Sequence, residues 1–172
     1  MGILSGNPKD EPLHYGEVFG MWTYLFTAKA MMANCQTFLN HAGDKDLKAL
    51  LEDMIQTQKK EIAQVEELLK ANGVALPPTP PDRPKAALEN IPVGARFNDN
   101  EIATALGSEL AAGLVACSQI IGQSVREDVP AMFMDFHTNK AQFGLRTLRL
   151  TKEKGWLIPP PLHLKAPELA PV

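Results

Sequence analysis

A helix stop that occurs twice constrains this chain more than any other feature. Gly73-Val-Ala-Leu-Pro-Pro78 returns 82 residues later as Gly155-Trp-Leu-Ile-Pro-Pro160. Glycine supplies the left-handed residue that closes a helix, and Pro-Pro cannot continue one, so each copy ends a helical segment and opens an extended one. Slid by the same offset without gaps, Ala30, Cys35, Asp46, Ala49, Asp53, Leu68 and Lys70 fall on Ala112, Cys117, Asp128, Ala131, Asp135, Leu150 and Lys152. The shared offset marks an internal repeat, each unit long enough for two helices. The chain is therefore read as all-α and as one domain. A hairpin over 12–73, a crossover over 74–97, a second hairpin over 98–155 and a Pro-rich tail over 156–172 make a ferritin-like up-down four-helix bundle.

The periodicity inside each unit supports that reading. Asp10 and Pro12 form a start signal for the first helix and Gly43 a stop. Between them His14, Val18, Met21, Leu25, Ala28, Met32, Cys35 and Leu39 recur at three- and four-residue steps as a core stripe. Beside it runs a second apolar strip, Tyr15, Phe19, Trp22 and Phe26, wider than packing against neighbouring helices requires. Asp44 caps the second helix, whose stripe is Leu47, Leu51, Met54, Ile62, Val65 and Leu69. Asn98 with Glu101 makes a capping box for the third, where Ile102, Leu106, Leu110, Gly113, Cys117 and Ile121 point inward. Pro130 opens the fourth, with Phe133, Phe136, Ala141 and Leu148 expected inside. The crossover, with six prolines and about 24 residues, far exceeds the ~2–8 usual between bundle helices. It is expected to run the length of the bundle, since extended chain at ~3.3 Å per residue easily spans a ~40 Å helix.

Composition narrows the function. With 17 Lys and Arg against 20 Asp and Glu, the net charge of -3 leaves no positive excess for a nucleic-acid backbone. The first ten residues have neither the basic flank nor the apolar run of a signal peptide, so a cytoplasmic protein is expected. Lys29, Asn34 and Gln36 interrupt the apolar stretch from Val18 to Leu39, which argues against a membrane span. Cys35 and Cys117 sit among apolar residues and read as buried, reduced thiols.

A bundle of this kind can hold a di-metal centre through Glu-x-x-His on two helices. Helix two has no histidine, and Asp135-Phe-His137 in helix four has i, i+2 spacing that turns its two side chains apart. Neither a Ser-His-Asp nor a Cys-His arrangement, a phosphate-binding loop or a Cys-x-x-Cys is present. The expectation is a non-enzyme with no metal and no cofactor. Its functional surface is the strip Tyr15, Phe19, Trp22 and Phe26, which would pair two copies into a homodimer, the competing reading being that the crossover or the tail around Trp156 lies across it. The alternative is a degenerate ferritin-like metal-binding protein or oxidoreductase that uses His137 with one or two carboxylates from a polar site of Glu17, Glu61, Gln119 and His137, whereas a purely structural His137 would bond Gln119.

Phe38-Leu-Asn-His-Ala-Gly-Asp-Lys-Asp-Leu-Lys-Ala-Leu-Leu51, the Gly73-x-x-Leu-Pro-Pro78 stop and Lys154-Gly-Trp-Leu-Ile-Pro-Pro-Pro161, together with Trp22 and Tyr24, resemble an uncharacterised family of spore-forming bacteria. Its members are provisionally described as spore coat proteins of the coat F type. The resemblance covers roughly residues 12–164. It implies a ferritin-like bundle, deposition in the spore coat and other coat proteins as partners, and it carries no catalytic residues. Where many members have a histidine beside the Gln-Lys of helix two, this chain has Lys60.

Overall fold

In a computed structural model, residues 11–163 are described. Among them are four α-helices and two short 3-10 turns, and no strand. Helix α1 runs Tyr15–His41, α2 Lys45–Ala71, α3 Asp99–Gln123 and α4 Asp128–Glu153. Each hairpin is up-down, and the long connection sets α3 parallel to α2. The helices pack most intimately within each hairpin, with α1 also against α3 and α2 against α4.

The first helix begins three residues after Pro12. His14 is its N-cap, accepting from Gly16 and Glu17 backbone N–H groups through Nδ1, while the Glu17 carboxylate takes the His14 N–H at 3.0 Å. This reciprocal pair satisfies the orphan donors of the first turn, so Pro12 stays outside and His14 is an exposed cap instead of a core residue. Asp10 lies outside the described residues. The Asp44 cap of α2 and the Asn98–Glu101 capping box of α3 are present. Helix α4 starts at Asp128, two residues before Pro130.

Both glycine stops adopt the left-handed conformation, Gly73 at φ 72° and Gly155 at φ 71°. Each closes a Schellman motif. Val74 N–H donates to Leu69 C=O and Gly73 N–H to Lys70 C=O, while Trp156 donates to Thr151 and Gly155 to Lys152.

The connection after Gly73 lies along α1 and is clasped by side chains on one face of it. Trp22 Nε1 donates to Ala75 C=O at 2.9 Å and Lys29 Nζ to Pro77 C=O at 2.9 Å. Gln36 bonds both Asp82 and the Arg83 N–H, and Asn40 bonds the Pro84 carbonyl and the Ala86 N–H. Trp22, Lys29 and Gln36 are seven residues apart, which returns to the same face every two turns. Proline-rich extended chain leaves its carbonyls free, and α1 supplies the donors.

Two carboxylates at helix starts fasten the hairpins to each other. Glu17 accepts from the Val125 and Arg126 N–H groups of the α3–α4 turn, at 2.7 and 2.9 Å. Asp99 accepts from Gly43 and Asp44 in the α1–α2 turn, at 2.7 and 3.0 Å. Asp99 follows Glu17 by 82 positions, and Val125 and Arg126 follow Gly43 and Asp44 by the same number. Lys154 on Asp44 and Arg126 on Asn72 form a further pair related by this offset.

The core has two apolar clusters, one towards each end of the bundle. Cys35, Phe38, Leu47, Leu51, Met54, Ile102 and Leu106 belong to the first, and Met21, Leu25, Val65, Leu69, Cys117, Phe133 and Phe136 to the second. Between them lie the buried polar residues Gln58, Glu61 and Lys140. Ala141 and Leu148 are exposed, contrary to the apolar reading of α4, because Lys140 and Thr147 take the inward positions. By length and composition alone, Val93–Gln123 is apolar enough to cross a membrane, with mean hydropathy 1.4. Here its helix packs against α4 and α1.

Gly73→Val should destabilise the fold by about 1 kcal/mol or more in chemical denaturation. No atom lies within 4 Å of the missing side chain, so the cost comes from the backbone conformation and not from a clash.

Candidate functional site

The strip on α1 divides between two environments. Trp22 is half-buried, tied to the crossover through its indole and stacked on Phe26 with ring centroids 5.9 Å apart. Tyr15 is 94% exposed, Phe19 73% and Phe26 49%. The crossover thus claims one of the four residues and leaves three open. No charged side chain is exposed between Tyr15 and Ala30, since Glu17 and Lys29 are both buried. Lys29 reaches Glu66 at 2.8 Å, which also holds the crossover end of this face.

The polar centre of the bundle is built from three helices. Lys140 Nζ on α4 lies 2.7 Å from Glu61 Oε2 on α2 and 2.7 Å from the Tyr24 hydroxyl on α1. Tyr24 donates to the same Glu61 oxygen, and Asn139 Nδ2 donates to the other at 3.1 Å. Gln58, one turn before Glu61, donates to the Ala28 carbonyl. Gly113 on α3 makes the room: a Cβ there would stand 2.9 Å from Lys140 Cδ and Cε. Its value is therefore space for the Lys140 stem, beyond the close backbone approach that small residues suggest.

This arrangement does not fit a metal centre. Glu61 has both carboxylate oxygens occupied, one by a buried ammonium that already supplies the countercharge. Among the described residues no group of three or more His, Cys, Asp or Glu is placed to hold an ion. Burial, reinforced by Glu61, raises the Tyr24 phenol far above its ordinary range. Burial pushes the Cys35 thiol up to about 12 and that of Cys117 up to about 11, so neither is a thiolate at neutral pH.

The other polar candidates are scattered. Glu17 sits at the bundle end as the hairpin fastener, its desolvation outweighed by the N–H groups of Arg126, His14 and Val125, so that its pKa is lowered. Gln119 is exposed and makes no hydrogen bond with the half-buried His137. Glu109 bonds Asn34 through Oε1, while Oε2 is buried without a partner and burial raises its pKa. Thus Glu61 belongs to a mid-bundle cluster whose other members are Tyr24, Lys140 and Asn139. Sequence reasoning missed Lys140, although the lysine breaks the apolar stripe of α4 at a position where Gly113 faces it.

The family described as "Protein of unknown function (DUF3231)" matches residues 1–169. The chain belongs to this family. "Uncharacterized protein YvdQ" of Bacillus subtilis (strain 168) is 58% identical over 165 residues, 96% of this chain and 97% of that protein. The crystal structure of a "putative spore coat protein" from Bacillus halodurans C-125 is 60% identical, covers 92% of this chain and 100% of its own, and has a TM-score of 0.90. A two-domain protein from Anabaena variabilis with DJ-1/ThiJ/PfpI-like and ferritin-like domains has 15% identity and a TM-score of 0.61, covering 88% of this chain and 40% of that one. At that distance the likeness concerns the fold alone, and it sets this member of the family beside the ferritin-like bundles.

Two substitutions test the energetics. Lys140→Met should cost roughly 3–5 kcal/mol in denaturant unfolding, because Glu61 is left charged and buried, and adding Glu61→Leu should recover most of the loss. Glu17→Gln should cost roughly 2 kcal/mol at pH 7. Because the folded pKa of Glu17 lies below 4.5, its contribution is complete above that value and fades as pH falls through the folded pKa. The gap between wild type and Glu17→Gln should therefore close below pH 4.5 in pH-resolved melting curves.

Proposed function

We propose that this chain is a non-enzymatic structural protein, made in the cytoplasm and deposited in the spore coat, which works by self-association through the outer face of α1. The observation that carries the reading is the exposed, uncharged aromatic surface of Tyr15, Phe19 and Phe26. A monomer that must stay apart from its neighbours blunts such surface with charge, whereas a protein built into an assembly keeps it. The relative at 60% identity, described as a "putative spore coat protein", supports the coat as the place where those contacts are made. Other coat proteins are the partners this location implies.

Support for a role without catalysis comes from the polar centre. Its carboxylate is neutralised internally by Lys140, and its phenol and the neighbouring Cys117 thiol are held protonated. A ferritin-like metal or redox role would need Glu61 free to bind an ion.

Phe19→Glu should give a folded protein with half the mass of the wild type in light scattering and unchanged helical circular dichroism. A wild type that is monomeric at tens of micromolar would overturn the self-association reading. Elemental analysis of the purified protein tests the rest: stoichiometric iron, manganese or zinc would favour the metal-binding alternative.

A further inference from the structure

We propose that the exposed strip on α1 is covered by the C-terminal arm of a second copy, with Leu157, Ile158 and Leu162 laid against Tyr15, Phe19 and Phe26. This rests on the self-association reading and names the segment that performs it.

The chain itself demonstrates how α1 receives such a peptide. The segment after Gly73, Val-Ala-Leu-Pro-Pro78, leaves a helix through a left-handed glycine and docks on α1 in extended form. Trp22 and Lys29 bind the carbonyls of Ala75 and Pro77, Pro77 is buried, and Val74 and Leu76 pack against the core. The arm repeats that segment as Trp-Leu-Ile-Pro-Pro160 after a glycine of the same conformation. Trp156 packs against the core, yet Ile158 is 87% exposed, Leu162 69%, and the three prolines between them are exposed too.

Its own α3 offers the arm no clasp. The α3 positions 82 residues after Trp22, Lys29, Gln36 and Asn40 are Thr104, Ala111, Ser118 and Gly122. None carries a side chain long enough to reach over and donate to an extended peptide. Beyond Trp156, then, α3 offers the described part of the arm no side-chain donor.

Nor can Leu157 or Ile158 reach the strip on their own α1, and Leu162 reaches no farther than Phe26. Lys154, bonded to Asp44 and Asp46, fixes the start of the arm at the α1–α2 turn. Phe19 lies 22 helical residues from His41 at that end, about 33 Å at ~1.5 Å each. Leu162 is seven residues beyond Gly155, which allows at most ~25 Å of extended chain. Tyr15 is farther still. A second copy lying antiparallel satisfies the distance, and a two-fold axis makes the exchange reciprocal.

The chemistry of the two surfaces matches. From Gly155 to Leu162 the arm carries no charge, as the strip carries none exposed. Proline-rich extended peptides bind aromatic surfaces because little conformational freedom is lost on docking.

The test uses the full-length protein with two kinds of variant. Ile158→Asp combined with Leu162→Asp should weaken the dimer at least tenfold in sedimentation equilibrium while helical circular dichroism stays unchanged. Mixing a Phe19→Cys chain with an Ile158→Cys chain under mild oxidation should give a disulfide-linked dimer that neither chain forms alone. A wild-type dimer whose strength is unchanged by the arm substitutions overturns the arm proposal and leaves self-association standing. A dimer that is weakened but yields no cross-link in the mixture also overturns it, by placing the arm on another surface. A wild type that is monomeric removes both readings together.

Discussion

The ammonium of Lys140 against the carboxylate of Glu61 is the contact around which the interior is arranged. It joins α4 to α2, and through the Tyr24 hydroxyl it reaches α1, so three helices meet at one charged point. A buried pair of this kind adds little net stability compared with apolar packing, but removing one partner is expensive. Its larger effect is to divide the core into two apolar clusters with a polar layer between them. Gly113 on α3 leaves the space that the Lys140 stem occupies. In a bundle of ferritin-like architecture this is the centre, and a cation made by the chain itself stands there.

The outside is organised by a different economy of donors and acceptors. At each end, a carboxylate near the start of one hairpin accepts the free N–H groups of the other hairpin's turn, Glu17 on Val125 and Arg126, and Asp99 on Gly43 and Asp44. Such turns would otherwise face solvent with unpaired donors. The crossover is then held by side chains of α1 that lie on the face left over by the core. The corresponding face of α3 carries small residues, and among the described residues no side chain there clasps an extended segment. This difference between the two halves leaves α1 with part of its aromatic strip open and the C-terminal arm without a seat.

Most of the architecture was legible because it rests on local rules. The glycine stops, the Asp44 and Asn98 caps and the helical periodicity all act within one or two turns, and the structure places them as their residues require. The first helix starts later than Asp10 and Pro12 suggest, because His14 caps it through a reciprocal bond with Glu17 that is rarer for histidine. Ala141 and Leu148 read as inward positions because they are apolar, yet α4 turns Lys140 and Thr147 to the centre. The periodic signal counts apolar residues, and a buried lysine with a partner on another helix is invisible to it.

For the same reason the chemistry of the candidate site divides between the two levels. The order of residues alone determined that the chain is helical, where each helix stops, that the connection between hairpins is extended, and that one helix carries more apolar surface than a core can use. These are properties of neighbouring residues, set by backbone sterics and by the 3.6-residue period. Only the tertiary structure decided that Glu61 faces an ammonium, that Glu17 fastens the opposite turn, and that Trp22 belongs to the crossover while Tyr15, Phe19 and Phe26 do not. Each of those outcomes depends on which groups from distant parts of the chain arrive at the same place, and electrostatics and hydrogen bonding act only once they have arrived.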